Sequence, residues 1–298
     1  MSVLNTAKLI WVSSRPRQWT KNLFVLAVLL FSKNLFNYSL AWRVFLGFFL
    51  FSLLTSSVYI LNDIVDIKED RRHPQKKNRP LPSGKLKVST AFIFTLFTLA
   101  LSFGLSFYLD TIFGLLLLGY LILNLVYTKC LKHVVILDVF CIAAGFLLRV
   151  IAGAVLIDVE VSTWLLICTL VLALFLGFSK RRHELVILGT ESVNHKRVLA
   201  EYNVHFLDMM IGTLTASTVM SYALYTISDE TIRKFNTEKL ILTIPFVLYG
   251  IFRYLYLVYH KAEGGNPIQN ILLDIPLIIS VGLWVVISGL ILYLGGGR

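Results

Sequence analysis

Charge is scarce in this sequence: Asp, Glu, Lys and Arg supply 15% of its 298 residues, whereas 57% are hydrophobic. A soluble domain of that composition has too little polar surface to cover itself, so the expected solvent is a lipid bilayer. Cysteine is nearly missing. Cys130, Cys141 and Cys168 lie in or beside apolar segments without metal-type spacing, which excludes a disulfide framework and predicts small buried packing residues. Acidic residues are outnumbered by basic ones, 17 to 28, for a net charge of +11. In a soluble chain that excess would suggest nucleic acid. In a membrane chain its placement matters more, and no nucleic-acid partner is expected. The first 19 residues are polar and basic and lack a compact apolar core with a cleavage site, so no cleaved signal peptide is expected.

What the chain has in abundance is long apolar runs. A helix needs about 20 residues to cross roughly 30 Å of hydrocarbon. Nine candidate runs cover Asn22 to Phe36, Leu40 to Asn62, Ser89 to Leu109, Ile112 to Tyr127, Val134 to Leu156, Ser162 to Phe178, Phe206 to Ile227, Leu240 to His260 and Ile271 to Leu294. They are continuously apolar rather than alternating, which favours helices over a barrel. With nine crossings, the segments on the N-terminal side carry 20 Lys and Arg and the opposite segments carry 5. By the positive-inside rule the N-terminus lies in the cytoplasm. A single domain over residues 1–298 is expected, and the oligomeric state, a homo-oligomer included, is left open.

Chemistry is concentrated where helices emerge. Asn62, Asp63, Asp66 and Asp70 follow the second run; on a helix Asn62, Asp66 and Asp70 repeat at i, i+4, i+8, with Asp63 one turn from Asp66. Three carboxylates on one face repel unless a cation holds them, and hard oxygen ligands beside a membrane cavity suit Mg²⁺ on Asp63, Asp66 and Asp70. A solvated helix end is the bland alternative. The next loop, Arg71 to Pro80, is strongly basic; Arg72, Lys76 and Arg79 there imply a multiply charged phosphate anion, or, less specifically, anionic lipid head groups. A second basic cluster holds Lys180, Arg181, Arg182 and Glu184; Lys180 can pair with Glu184, leaving Arg181 and Arg182 uncompensated. A third precedes the first run, where a helix would place Arg17 and Lys21 on one face. Inside the bilayer, Asp138, Arg149 and Arg253 are expected to face a bundle interior, either paired or on substrate.

Together these residues resemble the UbiA superfamily of intramembrane prenyltransferases. The resemblance spans nearly the whole chain and rests on Asn62 to Asp70 as the family's Asn-Asp-x-x-Asp-x-x-x-Asp signature and on Tyr127-Thr128-Lys129-Cys130-Leu131-Lys132 as its Tyr-[Ser/Thr]-x-x-Leu-Lys segment. It implies an all-α membrane protein, a UbiA-type bundle of about nine transmembrane helices around a cytoplasm-facing cavity. It also implies roles for Tyr127 and Lys132 at the site. Where the family carries a second Asp-rich stretch, this chain reads Ser179-Lys180-Arg181-Arg182-His183-Glu184. That departure resembles a branch that moves a 5-phosphoribosyl group from phosphoribosyl diphosphate to a polyprenyl phosphate of decaprenyl type, for cell-envelope glycan precursors. Arg15 to Asn22, Arg72-His73-Pro74, Ala143 to Gly153 and Gly264-Gly265-Asn266-Pro267 are similar to the same branch.

In that chemistry Asp63, Asp66, Asp70, Lys21, Tyr127 and Lys132 are the expected catalytic group. Arg17, Asn62, Arg72, Lys76, Arg79, Asp138, Arg149, Lys180, Arg181 and Glu184 are the expected substrate contacts. The nucleophile, a lipid phosphate oxygen, is already an anion, so no general base is required. Two alternatives stand beside this expectation. One is a prenyltransferase joining a polyprenyl diphosphate to an aromatic or haem-type acceptor, which would want a second acidic stretch and a dry acceptor pocket. The other is a transporter or structural membrane protein with the carboxylates as an ion site, which predicts polar residues on broken helices at the bilayer midplane.

Overall fold

The computed structural model describes residues 3–72, 76–188, 197–260 and 273–294, and the described residues are helical, with no strand among them. The α-helices are α1 (Val3–Ser13), α2 (Leu23–Phe31), α3 (Tyr38–Val65), α4 (Ile67–Asp70), α5 (Val88–Leu109), α6 (Thr111–Lys129), α7 (Leu137–Val155), α8 (Thr163–Leu188), α9 (Val204–Ile227), α10 (Asp229–Phe235), α11 (Ile244–His260) and α12 (Ile275–Leu294).

Seven of the described helical segments are long and apolar enough to cross a membrane: α3, α5, α6, α7, most of α8, α12, and Lys239–His260, which includes α11. The two other expected crossings differ for physical reasons. The run from Asn22 forms only the nine-residue α2, about 14 Å of helix, before a turn with Lys33 at φ 59°. The run at Phe206 forms the 24-residue α9, long enough but diluted by the hydroxyls of Thr213, Thr215, Ser217, Thr218 and Ser221. The cysteines also depart from expectation: Cys130 is exposed, and Cys141 and Cys168 are only half-buried.

The chain forms two compact units, the first comprising Met1–Leu29, Phe36–Lys129 and Leu148–Glu160, the second Leu30–Leu35, Cys130–Leu147 and Val161–Arg298. In the first, α3 packs on α5 and α6 through small and hydroxyl side chains. Ser57 and Thr98 hydroxyls meet at 2.7 Å, and Ser102 Oγ donates to the Leu50 carbonyl at 3.0 Å. Hydrogen bonds of this kind between membrane helices contribute only about 0.6 kcal/mol each, so close packing does most of the work. Gly153 of α7 shows this: a Cβ there would stand 2.2 Å from the Val25 carbonyl oxygen, so only glycine permits this approach to α2. Under the basic loop, Leu81 and Leu86 bury with Ile60 and Ala91 against Leu9 and Ile10 of α1, which fixes the loop beside the end of α3. The second unit is built around Val139, Phe175, Phe178, Leu207, Tyr254 and Leu257, contributed by α7, α8, α9 and α11.

Candidate active site

The acidic signature does not continue as one helix. α3 ends at Val65, Asp66 leaves helical geometry at φ −88° and ψ 8°, and α4 is a single turn ending at Asp70. The break turns Asp63 and Asp70 inward, 3% and 2% exposed, while Asp66 remains half-buried. One guanidinium nitrogen joins the two buried carboxylates: Arg79 Nη1 donates to Asp63 Oδ1 at 3.1 Å and to Asp70 Oδ2 at 2.7 Å. Arg15 Nη2 adds a bond to Asp63 Oδ1 at 2.5 Å, and Lys76 Nζ lies 3.3 Å from Asp70 Oδ1. Buried carboxylates require such partners, because desolvation of an unpaired charge is prohibitive. Each cation is about a third exposed, so the pairs stabilise the fold far less than buried pairs would and remain open to exchange. Beside them a cavity of about 340 Å³ is lined by Val12, Ser13, Arg15, Asp63, Asn78, Arg79 and Pro80.

The expected three-carboxylate face is therefore a pair with Asp66 alongside; no three His, Cys, Asp or Glu side chains among the described residues are grouped to hold a metal ion. The donor chemistry still fits Mg²⁺, which takes one or two protein carboxylates and completes its shell with water and phosphate oxygens. Arg79 bridging Asp63 and Asp70 marks where a cation is favourable. Asn62 is used differently, its Oδ1 accepting from Thr128 Oγ1 at 2.9 Å and tying α3 to α6.

The segment before α2 is also not α-helical. Pro16–Asn22 is a 3₁₀ turn, entered through Arg15 in the left-handed region at φ 49°, a conformation held only where surrounding contacts over-determine it. With three residues per turn, Lys21 aligns with Gln18 and not with Arg17, so the shared Arg17–Lys21 face is not formed and Arg17 is exposed. Arg149, 4% exposed, instead enters this region from α7: its Nε donates to Asn22 Oδ1 and its Nη2 to the Tyr120 hydroxyl, both at 2.8 Å.

In the second unit the basic stretch of α8 is not uncompensated. Arg181, 3% exposed, donates through Nε to Asp138 Oδ2 at 2.6 Å and through Nη1 to Glu184 Oε2 at 2.7 Å. Arg182 pairs with Asp208 Oδ1 at 2.5 Å and stacks on Tyr259 at 4.1 Å. Tyr202 donates to Asp138 Oδ1 at 2.8 Å and accepts from the Ile136 amide at 2.7 Å, pinning a β-branched residue at φ 70°. Burial, reinforced by Asp138, raises the Tyr202 phenol well above its ordinary range, so it stays a donor. Lys180 lies 4.0 Å from Glu184, the pairing expected from their spacing, and Arg253 grips Asp274 with both Nε and Nη2.

Among the remaining expected residues, Arg72 is exposed, Tyr127 is half-buried at the end of α6, and Lys132 is half-buried in the 3₁₀ turn Leu131–His133. His73, Pro74 and Gly264 to Pro267 lie outside the described residues. Arg15, Asn22, Tyr120, Tyr202 and Asp208 carry contacts that spacing in sequence does not single out.

Comparison with known proteins agrees with this architecture. Residues 22–187 match the UbiA prenyltransferase family. The decaprenyl-phosphate phosphoribosyltransferase of Corynebacterium glutamicum is 32% identical over 91% of this chain and 82% of its own length. That of Mycolicibacterium smegmatis is 30% identical over 94% and 91%. A UbiA homolog from Archaeoglobus fulgidus, solved with DMAPP and Mg²⁺, superposes with a TM-score of 0.69 over 94% of this chain and 97% of its own, at 20% identity. The family match extends over more than half of a chain whose described helices include seven able to span a membrane, so this multi-pass membrane protein belongs to the UbiA prenyltransferase family of transferases.

Proposed function

We propose that the chain transfers the 5-phosphoribosyl group of phosphoribosyl diphosphate to a polyprenyl phosphate and releases diphosphate. The observation that carries the reading is a buried carboxylate pair, Asp63 and Asp70, held by three partly exposed bases beside a cavity. Such a site suits a polyphosphate arriving with its counter-ion, and the names of the two relatives agree with the transferred group and the acceptor class.

Asp63 and Asp70, with Asp66 alongside, would hold Mg²⁺, which when bound neutralises charge on a diphosphate. Arg15, Arg79 and Lys76 exchange their carboxylate contacts for phosphate oxygens, fixing the donor through charge-assisted bonds. The bond from the ribosyl C1 to the diphosphate oxygen breaks with its electrons leaving on diphosphate. A lipid phosphate oxygen supplies the pair that forms the new C1–O bond, and no proton has to move. On this reading the N-terminus and the site face the cytoplasm, and the membrane is the plasma membrane.

The test of the reaction offers purified protein labelled phosphoribosyl diphosphate with polyprenyl phosphate or polyprenol, and separately prenyl diphosphate with 4-hydroxybenzoate. Labelled lipid is expected from the phosphate acceptor alone, because polyprenol offers the same apolar tail without the anionic nucleophile. Prenylated benzoate as the main product would overturn the assignment. Orientation is checked independently by the exposed Cys130 that follows α6. A membrane-impermeant maleimide should label Cys130, located by mass spectrometry, in inside-out vesicles and not in intact cells; the reverse pattern would invert the topology.

A further inference from the structure

Helix α1 is too short to cross a membrane: its 11 residues span about 16 Å, against roughly 30 Å of hydrocarbon. Its two faces differ. Leu9, Ile10 and Ser13 lie on one; Leu9 and Ile10 pack into the core formed by Ile60, Leu81, Leu86 and Ala91, and Ser13 is buried. Leu4, Lys8 and Trp11, at i, i+4 and i+7, lie on the opposite face and are all exposed, Leu4 to 84% and Trp11 to 57%.

Aromatic rings continue this face into the membrane-spanning surface. Trp11 meets Trp19 edge-on at 5.6 Å, and Trp19 meets Phe49 of α3 edge-on at 6.4 Å. Phe45 and Phe49, one turn apart, are both about half exposed and so belong to the lipid-facing side of α3. Trp19 Nε1 donates to Ser56 Oγ at 2.9 Å, about 10 Å of helix short of Asp63, which sets the depth of these rings. Tryptophan is enriched at that level, where hydrocarbon gives way to head groups.

The charge beside the rings has one sign. No Asp or Glu precedes Asp63 in the sequence. Lys8 is exposed on the face itself, and Lys85 and Lys87 are exposed on either side of Leu86, which shares a core with Leu9 and Ile10. None of these three lysines pairs with a carboxylate among the described residues. A short helix with leucine and tryptophan beside lysines has the chemistry of a segment lying in the plane of an anionic membrane surface.

We propose that α1 is an interfacial helix that docks on the anionic surface of the bilayer. Leu4 and Trp11 enter the boundary between acyl chains and head groups, and Lys8, Lys85 and Lys87 meet lipid phosphates. Val12 and Ser13, at the end of the same helix, line the cavity beside Asp63, so this contact holds one wall of the candidate site at the membrane surface. The inference is independent of the transfer reading.

The test places a nitroxide at Leu4→Cys in the full chain, its three native cysteines replaced by serine, in nanodiscs of phosphatidylcholine with or without phosphatidylglycerol. Collisions with oxygen, which partitions into acyl chains, are compared with those of a water-soluble nickel chelate. A second label at Phe45→Cys gives the hydrocarbon reference and should favour oxygen throughout, which reports an intact membrane-spanning part. With phosphatidylglycerol the Leu4→Cys label should also favour oxygen. Without it, or with Lys8, Lys85 and Lys87 all replaced by glutamine, the label should shift toward the nickel chelate. Each base near an anionic surface strengthens docking about fivefold, so the three together should lower the docked fraction's ratio about a hundredfold. Arginine at the three positions should keep the label docked. A label open to the nickel chelate in phosphatidylglycerol nanodiscs, which places the face in water, overturns the proposal. So does broadening between labels that shows a second copy covering the face, or an oxygen preference that neither lipid charge nor the glutamine substitutions change.

Discussion

Asp63→Asn is expected to lower turnover by a factor of about 10³ or more while leaving the protein folded. The substitution keeps the shape of the side chain and removes the charge that Arg15 and Arg79 share. Those two cations are about a third exposed, so they turn to solvent and to Asp70 at modest cost, and stability should fall by no more than about 1 kcal/mol. On the proposed transfer turnover suffers more, because the lost charge would help hold the Mg²⁺ that offsets charge on the departing diphosphate: about 4 kcal/mol of transition-state stabilisation corresponds to roughly 10³ in rate. Asp70→Asn should behave alike, since the same Arg79 nitrogen bridges both carboxylates. Asp66→Asn should cost less if two carboxylates suffice. Steady-state assays at saturating donor, with and without EDTA, decide the matter. Full activity in EDTA would remove the metal from the reading, and wild-type rates for Asp63→Asn would remove the pair.

A large effect of a different kind is expected in the second unit. Asp138→Ala should destabilise the protein by about 3 to 5 kcal/mol, because it removes the fully buried carboxylate that pairs with the buried Arg181. It also removes the acceptor of Tyr202, which holds Ile136 in its left-handed conformation. The paired variant Asp138→Leu/Arg181→Met removes both charges and should recover most of that loss. Thermal unfolding in detergent across the single and paired variants reads the coupling. Stable single variants with weakened donor binding would return Asp138 and Arg181 to the substrate role expected from sequence. In the structure the guanidinium donates to two carboxylates and is 3% exposed, which is why the destabilisation is expected.

How much of the site was legible follows from how far each contact reaches along the chain. The carboxylates of Asp63, Asp66 and Asp70 were visible because their spacing is local and their position after an apolar run is costly without a purpose. Arg79 and Lys76 were visible as a basic loop next to them. Within the Arg15 to Asn22 cluster an α-helical reading selects Arg17, because it aligns residues four apart, whereas the segment is a 3₁₀ turn of period three and Arg15 is the residue that reaches Asp63. Arg181 was misjudged because its partner Asp138 is 43 residues away, and no sequence pattern links them.

By itself the sequence determined the solvent, the helical class and the acidic signature. These follow from composition, run length and the obligation of backbone groups in lipid to pair within their own helix. Only the tertiary structure decided that the first apolar run yields a nine-residue helix, that Asp66 breaks α3 so that Asp63 and Asp70 turn inward, and which cations answer which carboxylates. The reason is physical: a charge in a low-dielectric interior takes whichever partner the packing brings within hydrogen-bonding distance, and packing is set by small residues such as Gly153 that let helices approach.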